Sequence, residues 1–287
     1  MTIKNYLSKT ITLLAATIFS ISSFAQNNEP MFEEIIVTAE KRSESLQDLS
    51  QAVTVLSGID LDNRQISTFV DLSAIAPGVN VAKNEGFKTV ITIRGVGYET
   101  NQNAIATPSV SYHLDGIYVA SPYSLQTDFL DLERIEVLRG PQGTLFGQNS
   151  TGGAINVVTQ APTTDETYGS ADLTVGNHGL LKTRAFINKP ISENLAMRAS
   201  FISNKRDGFT ENLTNGQDLD DADSVSARVR LSYEPSDTFR ANFMAQMFHE
   251  DRNGAAQKGI IDPTPDPRQL RQNSLTEHQL DAELFSA

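Results

Sequence analysis

The sequence predicts a small α+β domain followed by the antiparallel transmembrane strands of an outer-membrane barrel. Three observations support this fold class: an apolar N-terminal run with a cleavage pattern, mixed helix and strand signals over residues 45–160, and alternating apolar and polar residues from residue 166 onward. The chain has 287 residues and a formal net charge of −12. A nucleic-acid partner would require a local basic stripe, and none is visible, so no nucleic acid is expected to bind.

No catalytic or metal site is visible in the sequence. The chain has no Cys, which excludes disulfides, thiolate metal sites and a cysteine nucleophile. Its four His are scattered and form no HExxH pair, so a zinc enzyme is not expected. The glycine-rich segment 140–153 lacks the Lys of a phosphate-binding loop. We therefore expect no enzyme activity, no cofactor and no bound metal.

The first 25 residues have the pattern of a cleaved secretory signal peptide. Lys4 and Lys9 lie at or before the start of the apolar run 11–21, and the small residues Ser23 and Ala25 occupy the two recognition positions of a cleavage site. A transmembrane helix needs about 20 apolar residues, and this run is much shorter. The sequence therefore predicts export to the cell envelope without a helical anchor.

Residues 45–160 combine helix and strand signals. Ser57 is placed to cap a helix through Gln65, and Thr68 to cap a second helix that ends before Pro77. The dipeptide Asp115-Gly116 favours a tight hairpin turn between two strands. The predicted strands are residues 53–56, 89–94, 110–114, 117–120, 135–138 and 154–159.

From residue 166 onward the sequence alternates between apolar and polar residues, which gives each strand one apolar and one polar face. A soluble sandwich would alternate in the same way, so the connections decide between the two. Segments 189–194 and 235–237 are short, whereas 205–223 and 250–273 are long and polar. Short turns at one end and long loops at the other are typical of an outer-membrane barrel. About six strands are predicted, and Phe186 is an exception on a polar face.

Four segments resemble the TonB-dependent outer-membrane receptors. They are EIIVTA (34–39), VITIRGVG (90–97), VSYHLDGIYV (110–119) and ERIEVLRGPQGTLFGQNSTGGAINVVT (133–159), and they follow one another in that family's order. The resemblance implies an α+β plug domain followed by the antiparallel all-β transmembrane strands of an incomplete outer-membrane barrel. Barrels of this class have about 22 strands, so residues 161–287 are interpreted as the first part of a longer gene product or of a truncated reading frame.

The resemblance divides the chain into a signal peptide (1–25), a periplasmic tether (26–44), the plug (45–160) and about six barrel strands (161–287). It places the TonB box within the tether, where its β-branched residues suit strand addition to the edge of a partner sheet. From the residues alone, a first plug strand is the alternative. The residues expected to bind TonB are Glu34, Ile35, Ile36, Val37, Thr38 and Ala39.

The resemblance also implies two further groups of site residues. Arg94 and Arg139 each precede a glycine at a strand end and are expected to hold the plug to acidic groups of the barrel wall. From the residues alone, two exposed arginines are the alternative. Segments 97–107 and 120–128 are expected to be apical loops that contact a ligand. The residues expected to do so are Tyr98, Asn101, Gln102, Tyr118 and Tyr123.

The function that the resemblance implies is uptake across the cell outer membrane. Such a receptor binds a scarce ligand, most commonly an iron–siderophore complex, and imports it into the periplasm with energy from the inner-membrane TonB complex. The implied partners are TonB, outer-membrane lipid and a small-molecule ligand. Two alternatives stay open: a truncated, non-transporting binding module or regulator, and a receptor for cobalamin or carbohydrate.

Overall fold

The structure is a computed structural model that describes residues 36–37, 44–45, 52–84, 88–97, 107–120, 128–259, 262–272 and 277–287. The residues from Ile36 to Ala287 form one unit. We call the α+β domain of residues 52–160 the plug and the six-stranded sheet between residues 168 and 286 the wall. The predicted signal peptide lies outside the described residues. In the described part of the chain, no helix has the length and apolar character needed to cross a membrane.

The plug contains one five-stranded mixed sheet and one three-stranded antiparallel sheet. The two short strands β1 (Ile36–Val37) and β2 (Glu44–Ser45) precede it and pair antiparallel. Its elements in chain order are β3 (Val53–Ser57), α1 (Gly58–Asn63), a 3-10 helix (Val70–Ala74), β4 (Val79–Asn84), β5 (Lys88–Ile93), β6 (Val96–Gly97), β7 (Val110–Leu114), β8 (Ile117–Tyr118), β9 (Leu132–Arg139), α2 (Gly143–Phe146) and β10 (Gly153–Thr159). The larger sheet has the order β3-β9-β10-β7-β8, and the smaller one is β4-β5-β6.

The first predicted plug helix is confirmed, and the second is shorter than predicted. Ser57 caps α1 in a reciprocal capping box with Asp60, as the sequence predicted, although the helix ends at Asn63 rather than at Gln65. After Thr68 only the 3-10 helix forms. The Asp71 carboxylate accepts hydrogen bonds from the backbone amides of Ser67 and Thr68, at 3.0 and 2.8 Å. These bonds satisfy amides at the start of the segment, which have no partner within a helix.

The Asp115-Gly116 turn has the predicted hairpin geometry. Asp115 has φ of 50° and Gly116 of 79°, the two positive values that this turn requires.

Strand β4 was not predicted, although its residues pair with β5 along its whole length. With Val79 and Val81 as its two buried apolar residues, β4 gives a weak alternation signal.

The plug core is aromatic at its centre and includes residues from the wall. Phe69 makes edge contacts with Tyr112 and Phe129, with ring centroids 5.2 and 4.9 Å apart. Met244 of the wall is buried in the same cluster, and Leu284 packs against it. Plug and wall therefore share apolar contacts as well as the polar contacts described below.

Gly153, at the start of β10, occupies a position that no other residue fits. Its φ is 153°, and an added Cβ would lie 2.4 Å from the Leu138 carbonyl oxygen and 2.7 Å from Ile93 Cδ1. We expect Gly153→Ala to reduce the free energy of plug unfolding by about 2 kcal/mol or more, because both backbone strain and overpacking oppose it. The measurement is a urea titration. Gly143→Ala is the matched control, since its Cβ would meet no atom within 4 Å, and it should change stability by less than about 1 kcal/mol.

The wall confirms the six predicted strands. Its sheet consists of β11 (Tyr168–Val175), β12 (Leu181–Ser192), β13 (Leu195–Arg206), β16 (Ala222–Ser236), β17 (Phe239–Arg252) and β19 (His278–Ser286), which lie in this order with all neighbours antiparallel. Odd-numbered residues such as Leu173, Val229 and Phe243 form its exposed apolar face. Even-numbered residues face the plug. Three short strands lie in the segments between these strands: β14 (Thr210–Asn212), β15 (Gln217–Leu219) and β18 (Gln269–Leu270).

The two long segments predicted as loops contain a small sheet of their own. Its order is β15-β14-β18, and β14 runs parallel to β18 from the other loop. The buried Asn212 side chain also joins the loops, donating to the Gln272 carbonyl and accepting from the Gln272 amide. Within the second loop, hydrogen bonds from the Thr264 hydroxyl, the Thr264 amide and the Arg271 amide lower the pKa of Asp262 to about 2.

Candidate functional site

The candidate site is the polar interface between the plug and the inner face of the wall. Successive strands of the wall present cations at inward positions, and four plug aspartates lie opposite them. The pairs are Asp62 with Arg184, Asp115 with Arg230, Asp128 with Lys182, and Asp131 with Arg198. Because these pairs join residues that are distant in the chain, they fix how the plug docks against the wall.

The most buried of these pairs joins Arg198 and Asp131. The guanidinium donates through Nε and Nη2 to the two carboxylate oxygens, both at 2.7 Å. The two side chains are only 4% and 10% exposed. The Ser200 hydroxyl also donates to this carboxylate. Bidentate, charge-assisted bonds are the strong class of hydrogen bond, and they also fix orientation.

Two aromatic rings surround Arg198 and explain the exception at Phe186. The Phe186 ring lies 4.1 Å from the guanidinium carbon, and Tyr168 accepts a hydrogen bond of 2.9 Å from Arg198 Nη1. A cation over an aromatic face is attracted by the ring quadrupole. Phe186 therefore faces inward because it packs on a buried arginine, a reason that no strand pattern can reveal.

Asp128 connects the plug to three wall strands at once. Its carboxylate lies 3.8 Å from Lys182 Nζ on β12 and accepts hydrogen bonds from Asn204 on β13 (3.5 Å) and Ser224 on β16 (3.1 Å). Asp128 is buried. These partners lie toward the end of the wall sheet at which the long loops also lie, so this contact holds the loop-side part of the plug.

Two further wall arginines bind backbone carbonyls of the plug. Arg228 donates from Nη1 to the Leu130 carbonyl at 2.6 Å. Arg230 donates to the carbonyls of Thr159 and Gln160 at 2.8 and 3.2 Å. Backbone carbonyls at the plug surface need partners when water is excluded, and these arginines supply them.

The segment that joins the plug to the wall is held by Asn188. This buried residue donates to the carbonyls of Thr163 and Glu166 at 3.0 and 2.9 Å, and its oxygen accepts from the Thr163 amide at 3.0 Å. Every polar group of the Asn188 amide is thus bonded to the connecting segment.

Among the described residues, Arg139 donates hydrogen bonds to the plug itself, and the expectation that Arg94 and Arg139 hold the plug to acidic groups of the barrel wall stays a prediction. Arg139 donates from Nε to the Pro77 carbonyl at 2.9 Å and from Nη2 to the Thr54 hydroxyl. Burial, and then the nearby Arg94, lower the pKa of Arg139. Arg94 is exposed. Where the structure describes the wall, cationic side chains line the inner face opposite the plug aspartates. On this part of the wall, carboxylates of the plug rather than its arginines form the ion pairs.

The expected TonB-binding segment is described only at Ile36 and Val37. These residues form β1, where Ile36 pairs with Ser45 and Val37 with Glu44. A ladder of two residues per strand is marginal by itself, and the assignment of the segment to TonB binding stays a prediction. The other residues of the expected segment lie outside the described part of the chain; they are Glu34, Ile35, Thr38 and Ala39.

The expected ligand contacts are described only at Tyr118. Its hydroxyl accepts a hydrogen bond of 2.7 Å from Asn149, and its ring lies 5.6 Å from that of His113. It follows the Asp115-Gly116 turn, away from the loop-side contacts of Asp128. Its role in ligand binding stays a prediction. The remaining four residues fall outside the described ranges; they are Tyr98, Asn101, Gln102 and Tyr123.

The plug core contains a buried phenol. Tyr112 is buried, and this burial raises the pKa of its hydroxyl well above the ordinary value. The phenol is therefore neutral at physiological pH. Within the described ranges, no cluster of three or more His, Asp or Glu side chains is arranged to hold a metal ion.

Comparison with known proteins identifies the domain. Residues 45–154 match the model of the TonB-dependent receptor plug domain. The pesticin receptor of Yersinia pestis is 31% identical over 222 residues, which cover 74% of this chain and 32% of that protein. The iron-regulated outer membrane virulence protein of Vibrio cholerae serotype O1 is 31% identical over 159 residues, which cover 52% of this chain and 23% of that protein.

A solved structure has a similar fold. The crystal structure of the ferric yersiniabactin uptake receptor FyuA from Yersinia pestis superposes with a TM-score of 0.71 at 26% identity, covering 82% of this chain and 37% of that one. The chain thus spans about a third of the length of the relatives it matches. Because the plug model, the relatives and the superposed fold agree, the chain belongs to the TonB-dependent receptors.

Proposed function

We propose that this chain acts in an outer-membrane receptor that binds an iron chelate and imports it into the periplasm with energy from the inner-membrane TonB complex. The observation that carries the proposal is a plug docked on the wall through ion pairs and hydrogen bonds at Asp62, Asp115, Asp128 and Asp131. Water can replace polar bonds of this kind when a domain moves, whereas exposing an apolar interface costs about 25 cal/mol per Å². A polar interface therefore suits a plug that must shift to let a ligand pass.

An iron chelate is the proposed ligand because two relatives carry iron in their names. One is a ferric yersiniabactin uptake receptor and the other an iron-regulated outer membrane protein. Cobalamin and carbohydrate have no comparable support among the relatives described above, and they stay the alternative cargoes.

The outer face of the wall supports an outer-membrane location. Its outward residues are large, apolar and exposed, among them Leu173, Phe239 and Phe285. Lipid would cover such a face, and a transmembrane strand alternates in this way. By the rule that barrel turns are short on the periplasmic side and loops long outside, the loops that contain β14, β15 and β18 would face the exterior.

TonB is the proposed partner of segment 34–39. Among the described residues, β1 pairs with β2 through two residues on each strand, so exchanging β2 for a strand of a partner would break few of the described bonds. The β-branched Ile36 and Val37 have high strand propensity, which favours such an exchange.

Growth on single iron sources tests the proposal. A bacterial strain that lacks its own chelate receptors would express the complete product of the gene that encodes this chain. The cells would be starved of iron and then supplied with one ferric chelate at a time. Growth on at least one chelate, dependent on the gene, is the expected result. If no chelate supports growth while one is bound by the cells, the protein is the non-transporting binding module instead.

A further inference from the structure

The Asp115-Gly116 turn is bonded to the point where the chain leaves the plug. The Asp115 amide donates to the Val157 carbonyl at 2.8 Å. The two Asp115 carboxylate oxygens accept from the Thr159 amide and the Thr159 hydroxyl, both at 2.8 Å. Thr159 is the last residue of β10 and is 1% exposed. One carboxylate therefore satisfies both donors of the residue that ends the plug sheet.

Arg230 of the wall completes this junction. It donates to the Thr159 carbonyl and hydroxyl and to the Gln160 carbonyl, and its Nη1 lies 3.8 Å from Asp115 Oδ2. The Asp115 and Arg230 side chains are 18% and 12% exposed. The turn, the end of β10 and the wall thus meet at a single cluster of polar bonds.

The strand that follows the turn is short and lies at a sheet edge. β8 pairs with β7 through Ile117 with Leu114 and Tyr118 with His113, and the Val119 amide that follows it donates to the Tyr112 carbonyl at 2.9 Å. Ile117 is 45% exposed. A short edge strand with little buried apolar surface opens at a lower free energy than the strands of the core.

Open space lies beside the turn. An added Cβ on Gly116 would meet no atom within 4 Å. A cavity of about 670 Å³ separates this part of the plug from the wall, lined among others by Asp115, Gly116, Asn156, Arg230 and Asn242. The turn can therefore move into the cavity without displacing the core.

We propose that Asp115 is a releasable anchor, a positioning residue that holds Thr159 and Arg230 while the plug is closed. Its release lets the Asp115-Gly116 turn and β8 move into the cavity and opens the seam between plug and wall. The use of this opening in transport rests on the proposed function. The anchor itself follows from the contacts of the turn, and it can be tested without any transported ligand.

The test combines hydrogen exchange with conductance measurements in planar lipid bilayers, both on the complete gene product. Asp115→Ala should raise exchange of the Thr159 and Val119 amides about tenfold or more, because charge-assisted hydrogen bonds are lost. Exchange of the Val137 and Ile155 amides in the core strands should change less than twofold. Bilayer conductance should rise severalfold, since the seam opens more often.

Two further variants keep the test decisive. Asp115→Asn retains one carbonyl acceptor and should give intermediate exchange and conductance, so it replaces the alanine variant if that one fails to fold. Asp165 is an exposed carboxylate in the connecting segment. The Asp165→Asn variant should have the same exchange and conductance as the unmodified protein. Unchanged conductance in both Asp115 variants, or exchange raised equally at Val137, would overturn the anchor. Absence of iron-chelate uptake with altered conductance would instead count against the proposed function alone.

Discussion

Replacing Arg198 by alanine is expected to weaken docking of the plug on the wall by about 3–5 kcal/mol. The substitution leaves Asp131 buried without its bidentate partner, and an uncompensated buried charge costs this much. It also removes the cation from between Tyr168 and Phe186. Urea titration of the complete gene product, followed by protease cleavage within the plug, measures the effect. In this variant, the urea concentration at which the plug becomes cleavable should be lower than the concentration at which the wall unfolds.

Arg240→Ala is the matched control for Arg198→Ala. Arg240 also occupies an inner position of the wall, but its pair with Glu234 is exposed, with 67% and 44% of the two side chains accessible. Exposed pairs contribute less than about 1 kcal/mol. In Arg198→Ala combined with Asp131→Asn, the loss should be smaller than the sum of the single losses, because the two residues are in contact. Equal effects of the Arg198 and Arg240 substitutions would contradict the assignment of Arg198 as a principal plug contact.

Replacing Ile36 by proline is expected to abolish energy-dependent uptake while ligand binding persists. Proline has no amide hydrogen and cannot donate to a ladder, so a strand added from TonB would lose a main-chain bond at the centre of the segment. The measurements are surface binding and cellular accumulation of the chelate that supports growth. Binding within twofold of the unmodified receptor, with accumulation at background, is the expected outcome.

Ile36→Ala separates the backbone from the side chain in this experiment. Alanine keeps the amide hydrogen, so uptake should persist at a reduced rate if main-chain bonds carry the interaction. Uptake that survives Ile36→Pro would refute the assignment of segment 34–39 as the TonB-binding segment. Loss of ligand binding in the proline variant would show that the segment supports the plug instead.

The wall could be predicted from the sequence because its pattern is local. Each strand is recognised by the alternation of apolar and polar residues with period two. The short and long connections between strands then distinguish the two ends of the wall. The hairpin at Asp115-Gly116 could be predicted for the same reason, since two neighbouring residues carry the requirement for positive φ. The cap at Ser57 is equally local.

The docking of plug on wall could not be predicted because its partners are far apart in the chain. Arg198 and Asp131 are 67 residues apart, and Asp128 and Ser224 are 96 apart. The sequence does carry one partial signal: cations recur on the polar faces of β12, β13 and β16. Those cations indicate that the inner wall faces acidic or carbonyl groups, but not which ones.

Arg139 and Phe186 show what tertiary contacts add to the sequence. The family resemblance assigns Arg139 to acidic groups of the barrel wall, which stays a prediction; among the described residues it donates to Pro77 and Thr54 of the plug. The strand pattern marked Phe186 as an irregularity, whereas the fold uses it to cover Arg198. These contacts join residues far apart in the chain, and no local rule includes them.

Accumulation of radioactive iron, supplied as the chelate that supports growth, tests the central claim most directly. Cells that produce the complete gene product would be compared with and without TonB. Accumulation well above surface binding is expected in the presence of TonB, and surface binding alone in its absence. Equal accumulation in the two strains would contradict energy coupling, and absence of accumulation for every chelate that binds would contradict import.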